Sequence, residues 1–192
     1  MKSFSINPYA NGLLLLALLA TTTASAEQKL LPAQSEILFV SKQMGVPVEG
    51  RFKKFDAQIG FDPAKPETGK IAFTIDIASI TLGSAEPDAE LPKTAWFNTA
   101  KYPQASFQSS AIKGLGAGKF EVTGKLTIKD NTRDAVIPVT LVQSGNTTTA
   151  SGVFTIKRLS YRIGENEWAD TSMVADDVQV RFKLALSGVS KY

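Results

Sequence analysis

Residues 118–129 alternate strictly between apolar and polar positions, and this feature constrains the fold of the chain most. One face of this segment consists of the apolar positions Phe120, Val122, Gly124, Leu126 and Ile128. The positions between these residues are all polar and lie on the opposite face. Successive side chains of a β-strand point to opposite faces, so the segment is a strand with one solvated and one buried face. Its length is typical of a strongly bent sheet or a barrel, with Gly124 as the natural point of curvature.

Further segments show the same alternation, or a short apolar run between turn residues. They are residues 34–41, 48–61, 70–77, 105–110, 136–142, 150–157 and 177–187. The apolar phase slips at Lys53–Lys54, which predicts a β-bulge or a sharp bend, and Pro138 predicts an edge strand or a bulge. Eight strands at hairpin spacing without a long amphipathic helix predict an antiparallel all-β sandwich or barrel. The long, bent strands favour the barrel.

Two irregular segments interrupt the strand pattern. Residues 84–100 contain several prolines and are predicted to form short helical turns that pack the aromatic pair Trp96–Phe97 against the sheet. Residues 158–175 contain Trp168 and also lack strand periodicity. The glycine-rich stretch 114–119 resembles a phosphate-binding loop only superficially, because a strand and not a helix follows it. We interpret it as a hairpin loop.

The first 26 residues have the organisation of a cleaved signal peptide. Lys2 supplies a positive start, residues 13–20 form a short apolar run, and Ala24-Ser25-Ala26 is a small-x-small cleavage site. The apolar run is far shorter than the roughly 18 residues that span a bilayer. The sequence therefore predicts export to the periplasm, cleavage after Ala26, and one domain over residues 27–192 without a stable membrane anchor.

The chain contains neither histidine nor cysteine. It therefore cannot carry a Ser-His-Asp or Cys-His catalytic set, and it lacks the usual ligands of zinc, copper and haem. The net charge of +3 is small and evenly spread, which indicates neither nucleic acid nor an anionic membrane as a partner. The acidic residues between Glu165 and Asp177 lack the spacing of a calcium loop. The sequence predicts a protein without enzymatic activity, metal or cofactor.

A set of short segments, in family order along the chain, resembles the YceI-like family. They are Gly50-Arg51-Phe52, Phe61-Asp62-Pro63, residues 75–80, Asp88 with Leu91, Trp96-Phe97, Tyr102-Pro103 with Phe107, residues 124–129 with Thr132, and Arg158 with Tyr161. The resemblance implies an exported, lipocalin-like barrel that binds a polyisoprenoid or another long-chain lipid. Gln43 and Glu90 stand where histidines are common in the family, which implies a different head-group preference if those histidines contact the ligand.

Pattern and resemblance together predict an antiparallel, eight-stranded, lipocalin-like barrel with short helical insertions. The barrel would hold and transport a polyprenyl, quinone or fatty chain, and the candidate pocket residues are Phe52, Phe73, Ile75, Trp96, Phe97, Phe107, Leu126, Phe154, Trp168, Val180 and Phe182. The alternative is a filled barrel without lipid, acting as a stress-related or cytochrome-associated interaction protein. A homodimer and a membrane cytochrome are further candidate partners.

Asp88 and Arg158 match charged positions of the family pattern, one in each irregular segment. We predict that they form a buried ion pair that ties the two segments together. Contact of either side chain with a ligand head group is the alternative.

Overall fold

The computed structural model describes residues 27–191, so the predicted signal peptide lies outside the described residues. The described part is mainly β-structure, with one short α-helix, α1 (Ala85–Glu90), and five single-turn 3-10 helices at Pro32–Gln34, Pro66–Thr68, Ile77–Ser79, Arg158–Tyr161 and Asn166–Ala169. None of its helices is long and apolar enough to cross a membrane. The strands are β1 (Lys29–Leu30), β2 (Glu36–Gln43), β3 (Val46–Phe52), β4 (Phe55–Gly60), β5 (Lys70–Asp76), β6 (Ile80–Thr81), β7 (Gln104–Gly116), β8 (Lys119–Ile128), β9 (Asn131–Ser144), β10 (Thr147–Lys157) and β11 (Asp177–Ser187).

All eight predicted strands are present, although the structure divides the chain into eleven. The phase slip at Lys53–Lys54 separates β3 from β4, as the alternation predicted. The strands β1 and β6 contain only two residues each, which is too short to produce a periodic signal. The strands β7 and β9 are longer than predicted: β9 because polar residues continue the pairing beyond the apolar stretch, and β7 because its pairing resumes at Ala111 after a register shift.

One antiparallel sheet curls round into the barrel, in the order β4-β5-β7-β8-β9-β10-β11-β2-β3-β6. β3 pairs with β2, whereas β4 pairs with β5 at the other end of the sheet. Because only Lys53 and Lys54 separate these two strands, the bend between them brings the ends of the sheet together. The Gln28 side-chain amide adds to the closure by bonding both the N–H (2.9 Å) and the carbonyl (2.6 Å) of Phe61.

Gly124 lies where the sheet bends, as its position in the central strand predicted. It pairs with Ser109, and the register of β7 shifts between Ser109 and Ala111. A Cβ atom at Gly124 would lie 2.3 Å from the Gln108 carbonyl oxygen and 2.5 Å from the Phe107 ring. The glycine therefore permits a close approach of β7 that no other residue would allow.

The sequence predicted an edge strand or a bulge at Pro138; β9 as a whole lies between β8 and β10, but Pro138 itself has no ladder partner on the β10 side. The ladder between β9 and β10 ends at the pair Thr140–Ser151, and Pro138 follows just beyond that end. Proline has no N–H to donate to a ladder. The sheet accommodates the missing donor by ending the β9–β10 pairing, and not by placing the strand at an edge.

The buried apolar side chains form two clusters. The interior cluster lies along the barrel and includes Phe61, Phe107, Ile112, Phe120 and Leu186. The insertion cluster joins the barrel to residues 84–103 and 158–176, which we call the first and second insertions. Its buried members are Ile77, Ile80, Leu91, Phe97, Ala105, Ile128, Tyr161 and Ile163.

Candidate functional site

The barrel contains a cavity of about 160 Å³ in which every lining residue is apolar. Most of its walls come from the inward positions of strands β4, β5, β7, β8, β9, β10 and β11. Several inward side chains, among them Phe73, Leu126, Phe154 and Phe182, are only partly buried. A partly buried ring inside a barrel wall indicates space that the core does not fill. An apolar cavity of this size offers no hydrogen-bond partner to water and suits an apolar guest.

Seven of the predicted pocket residues line this cavity: Phe73, Ile75, Phe107, Leu126, Phe154, Val180 and Phe182. Their side chains lie on the inward parity of their strands, which is the property from which they were predicted. The structure thus brings them together around one space. Contact of these residues with a ligand stays a prediction.

The other four predicted residues, Phe52, Trp96, Phe97 and Trp168, do not line the cavity. Phe52 and Trp96 pack against the insertion cluster and Phe97 is buried within it. The ring centroids of Trp96 and Trp168 are 5.4 Å apart. Phe52 is the last residue of β3, and the other three residues lie in the insertions, outside the strands that line the cavity. These aromatic side chains therefore pack where the insertions meet the barrel.

The cavity also has walls that the candidate residues did not include, such as Ala57 and Ile59 on β4 and Ile137 and Val139 on β9. The inward parity of these strands marks such residues, so alternation alone could have found them. The predicted pocket residues were mostly aromatic, and the smaller inward residues were left out. In a barrel, small inward residues leave the space that a ligand would use.

Arg158 organises the second insertion by itself. Its side chain is 1% exposed and donates to the carbonyls of Ile163 (2.8 Å), Gly164 (3.0 Å), Trp168 (2.7 Å), Val174 (2.6 Å) and Ala175 (3.1 Å). Burial lowers the pKa of the guanidinium, and the nearby Asp176 opposes that effect. Five donors bond five carbonyls, so the hydrogen-bonding capacity of the guanidinium is fully used within the second insertion.

The predicted ion pair between Asp88 and Arg158 is therefore wrong. The Asp88 carboxylate accepts hydrogen bonds from the Thr81 hydroxyl and from the Leu82 N–H (2.6 Å). These bonds, first the one from Thr81, hold the pKa of Asp88 below its usual value. Asp88 and Arg158 thus each bond to groups near them in the chain, and not to each other. Because all five donors of Arg158 are used, none is left for a ligand head group.

Lys129 is the residue that ties the two insertions together, and the sequence analysis missed it. Its side chain is buried and donates to the carbonyls of Thr94, Trp96 (2.6 Å) and Arg162 and to the Glu165 carboxylate (3.1 Å). Burial alone would raise the pKa of Glu165, but hydrogen bonds from Lys129 and Arg162 outweigh it and lower that pKa. The alternation had placed Lys129 on the solvated face; its φ of 49° instead turns the chain at the end of β8.

Replacing Lys129 with methionine should lower the free energy of unfolding by about 2–4 kcal/mol, because buried carbonyls and Glu165 lose their cation. Both tryptophans of the chain lie between the insertions, so tryptophan emission should shift to longer wavelength as this contact loosens. Lys125→Met is the control, since Lys125 pairs with Asp134 at the surface, where an ion pair contributes about 0–1 kcal/mol. Unchanged emission and stability in Lys129→Met would contradict this role.

The acidic residues of the second insertion are engaged in local contacts. Asp170 accepts from the Ser172 N–H and hydroxyl, Asp176 accepts from the Leu159 N–H, and Asp177 pairs with Lys157. Residues 27–191 contain no group of three or more histidine, cysteine or acidic side chains placed to hold a metal ion. The geometry of the site thus consists of an apolar cavity and two buried cations that hold the insertions at one end of the barrel.

Known proteins share this fold. The crystal structure of Burkholderia cenocepacia BcnA is 49% identical, superposes with a TM-score of 0.79, and covers 81% of this chain and 98% of BcnA. A polyisoprenoid binding domain from Saccharophagus degradans implicated in plant cell wall breakdown superposes with a TM-score of 0.68 at 18% identity, over 84% of this chain and 98% of that one. At that identity the likeness shows the fold alone.

Sequence comparison leads to the same group of proteins. A UPF0312 protein of Ectopseudomonas mendocina is 34% identical over 96 residues, which are 50% of this chain and 50% of that protein. The chain thus spans about half the length of this curated relative. The family description that matches is the YceI-like domain, and it covers residues 29–186, from the first strand to the last. With that span and the barrel geometry described above, the chain belongs to the YceI-like family.

Proposed function

We propose that this protein is a periplasmic carrier that holds one long-chain amphiphilic lipid, such as a polyprenyl, quinone or fatty chain, inside its barrel. The observation that carries the proposal is the entirely apolar cavity, whose inward rings are only partly buried. A filled barrel, the alternative interpretation, would have buried those rings against each other. The Saccharophagus degradans domain with the same fold is named for a polyisoprenoid ligand, which agrees in kind with an apolar chain.

The size of the cavity limits what it holds without rearrangement. A cavity of about 160 Å³ resembles in volume the engineered apolar cavity of about 150 Å³ that binds benzene. A longer chain needs more space, which Phe73, Phe154 and Phe182 can provide by changing rotamer. Each buried CH₂ contributes about 0.8 kcal/mol, so a chain of many carbons gains enough to offset such rearrangements.

The periplasmic location rests on the sequence of residues 1–26. A positive start, a short apolar run and the Ala24-Ser25-Ala26 site support export and cleavage. A carrier in that compartment would keep the apolar chain of a lipid out of water between membranes. We expect the mature chain to begin at Glu27.

The ligand can be tested directly on protein exported with its own N-terminal residues. We expect periplasmic protein to release one long-chain lipid per barrel on organic extraction, identified by mass spectrometry, and N-terminal sequencing to start at Glu27. An intact Met1 on a membrane-bound protein would contradict the export. Folded protein that yields no lipid, and takes up none of several isoprenoids, quinones and fatty acids, would mean that the barrel does not carry lipid.

A further inference from the structure

The wall of the barrel is interrupted between β9 and β10. Their ladder ends at the pair Thr140–Ser151, although β9 begins nine residues before Thr140, at Asn131, and β10 continues to Lys157. Over this stretch β9 remains paired with β8, and β10 remains paired with β11. The strand pairs β8–β9 and β10–β11 on either side are therefore intact, while the barrel wall between them lacks ladder pairing over this stretch.

An outer pocket lies at this interruption and adjoins the interior cavity. Its walls include Pro138 and Thr140 of β9 and residues 151–153 of β10. Three inward residues, Phe120, Val139 and Phe182, line both the outer pocket and the cavity. These three residues thus form part of the wall that separates the two spaces.

Gly152 makes this wall thin. It has no side chain of its own, and the ring of the paired Phe182 lies 2.6 Å from the position that a Cβ atom would take. The backbone of β9 lies closer still, because the Pro138 carbonyl oxygen is 2.2 Å from the same position, so the Phe182 ring and the β9 backbone together close the wall at this point. Phe182 is only partly buried, and a rotamer change of its ring together with a small movement of the β9 segment that is not paired with β10 would connect the outer pocket with the cavity.

The outer pocket differs from the cavity in its chemistry. Lys119 and Arg181 place two cationic side chains on its rim, beside the hydroxyl side chains of Thr140 and Ser151. Among residues 27–191, Lys119 forms no ion pair, and the buried Nε of Arg181 has no acceptor, although Nη2 of Arg181 bonds Glu49 (2.8 Å). Cations and hydroxyls with unused donors suit an anionic group with several acceptor oxygens.

Apolar side chains complete the rim on the solvent side. Leu115 is 54% exposed and Val153 is 46% exposed, and both line the outer pocket. A polar group in this pocket would thus have apolar surface on both sides of it, outside at Leu115 and Val153 and inside at Phe182. This order of apolar and polar surfaces suits an amphiphile whose charged end lies in the outer pocket and whose apolar chain lies in the cavity.

We propose that the outer pocket between β8 and β11 holds the anionic head group of the bound amphiphile, a carboxylate or a phosphate, while its chain passes Gly152 into the cavity. This inference rests on the proposed function, since it needs a chain inside the barrel. Lys119 and Arg181 neutralise the head group, and the Thr140 and Ser151 hydroxyls donate to its remaining oxygens. The ligand class is therefore a single-chain anionic amphiphile.

The test compares three probes with the same chain: hexadecanoate, hexadecyl phosphate and hexadecanol. Binding of each to the purified full-length protein is measured by titration calorimetry. We expect the wild type to bind at least one of the anionic probes about tenfold or more tightly than the alcohol, because charge-assisted hydrogen bonds form only with the anions. Whichever anionic probe binds more tightly shows whether the outer pocket prefers a carboxylate or a phosphate head group.

The double variant Lys119→Gln/Arg181→Gln should bind the anions no more tightly than the alcohol, with the alcohol unchanged. The control Lys125→Gln/Lys183→Gln removes the same charge from the outward faces of the same two strands and should keep the preference. Equal binding of all three probes by the wild type, or an unchanged preference in the first double variant, would overturn the proposal. Absence of binding by every probe would overturn this inference, and the proposed function falls with it only if the protein also yields no lipid on extraction and takes up no isoprenoid or quinone.

Discussion

Replacement of Arg158 by methionine should lower the free energy of unfolding by about 3–5 kcal/mol, the cost typical of removing one partner from a buried charged network. Five carbonyl groups of the second insertion accept from this one guanidinium. Methionine fills much of the same space but donates nothing, so buried carbonyls would lose their only side-chain donor. Chemical denaturation followed by circular dichroism measures the loss.

The geometry also predicts that lysine cannot replace Arg158. A lysine ammonium has three donors at one point, whereas the planar guanidinium presents five donors over a wide arc. Arg158→Lys should therefore recover only part of the lost stability. Arg162→Met is the matched control, because Arg162 is exposed and pairs only with Glu165 at the surface, a contact of about 0–1 kcal/mol.

The fluorescence of the tryptophans separates a local effect from a global one. The Trp168 carbonyl accepts a hydrogen bond from Arg158, and the Trp168 ring lies against Trp96. Emission should therefore change in Arg158→Met at denaturant concentrations at which the β-sheet signal is still native. A stability within about 1 kcal/mol of the wild type, within the range of an ordinary surface substitution, would contradict the organising role of Arg158.

Introducing a charge into the cavity with Phe154→Glu should weaken binding of a long-chain lipid roughly a hundredfold or more. An uncompensated polar group in an apolar site costs about 2–7 kcal/mol, and every wall of this cavity is apolar. The carboxyl would either be protonated or draw in water, and both outcomes remove apolar contact from the ligand. Competition against a fluorescent fatty acid measures the change.

Thr155→Glu is the matched control for this variant. Thr155 is the next residue of β10, points outward and pairs with Gln179, so the same charge there should leave binding unchanged. Ala57→Phe is a second cavity variant, which fills cavity space without adding a charge. It tests whether weaker binding in Phe154→Glu results from a changed cavity or from loss of folding. We expect it to reduce binding while the barrel stays folded, and full binding in both cavity variants would contradict a ligand in this space.

Local alternation in the sequence was sufficient to predict the strands and the class of fold. Side-chain direction in a strand is set by the backbone of that strand, so residues 118–129 and 177–187 show their inward faces without knowledge of any neighbour. The bend at Lys53–Lys54 was visible for the same reason, as a change of parity within one segment. The ordered family segments then favoured a barrel over a sandwich.

The partners of the charged residues could not be derived in this way. Lys129 continues the polar parity of its strand, yet it contacts carbonyls 33 or more residues away, because the backbone turns at that residue. Arg158 and Asp88 were predicted to pair because both match charged positions of the family pattern, whereas the structure gives each of them backbone hydrogen-bond partners elsewhere. Such contacts depend on how the insertions fold over the barrel end.

The sequence by itself determined the strands, the inward faces and the absence of histidine and cysteine chemistry, since these follow from residue types and a two-residue period. Only the tertiary structure decided which inward side chains border empty space, because that depends on the curvature of the closed sheet and on the volumes of residues from eight strands. It also decided where the β9–β10 ladder ends and that an outer pocket adjoins the cavity there. Packing and closure are properties of distant segments in contact, and a local period carries no information about them.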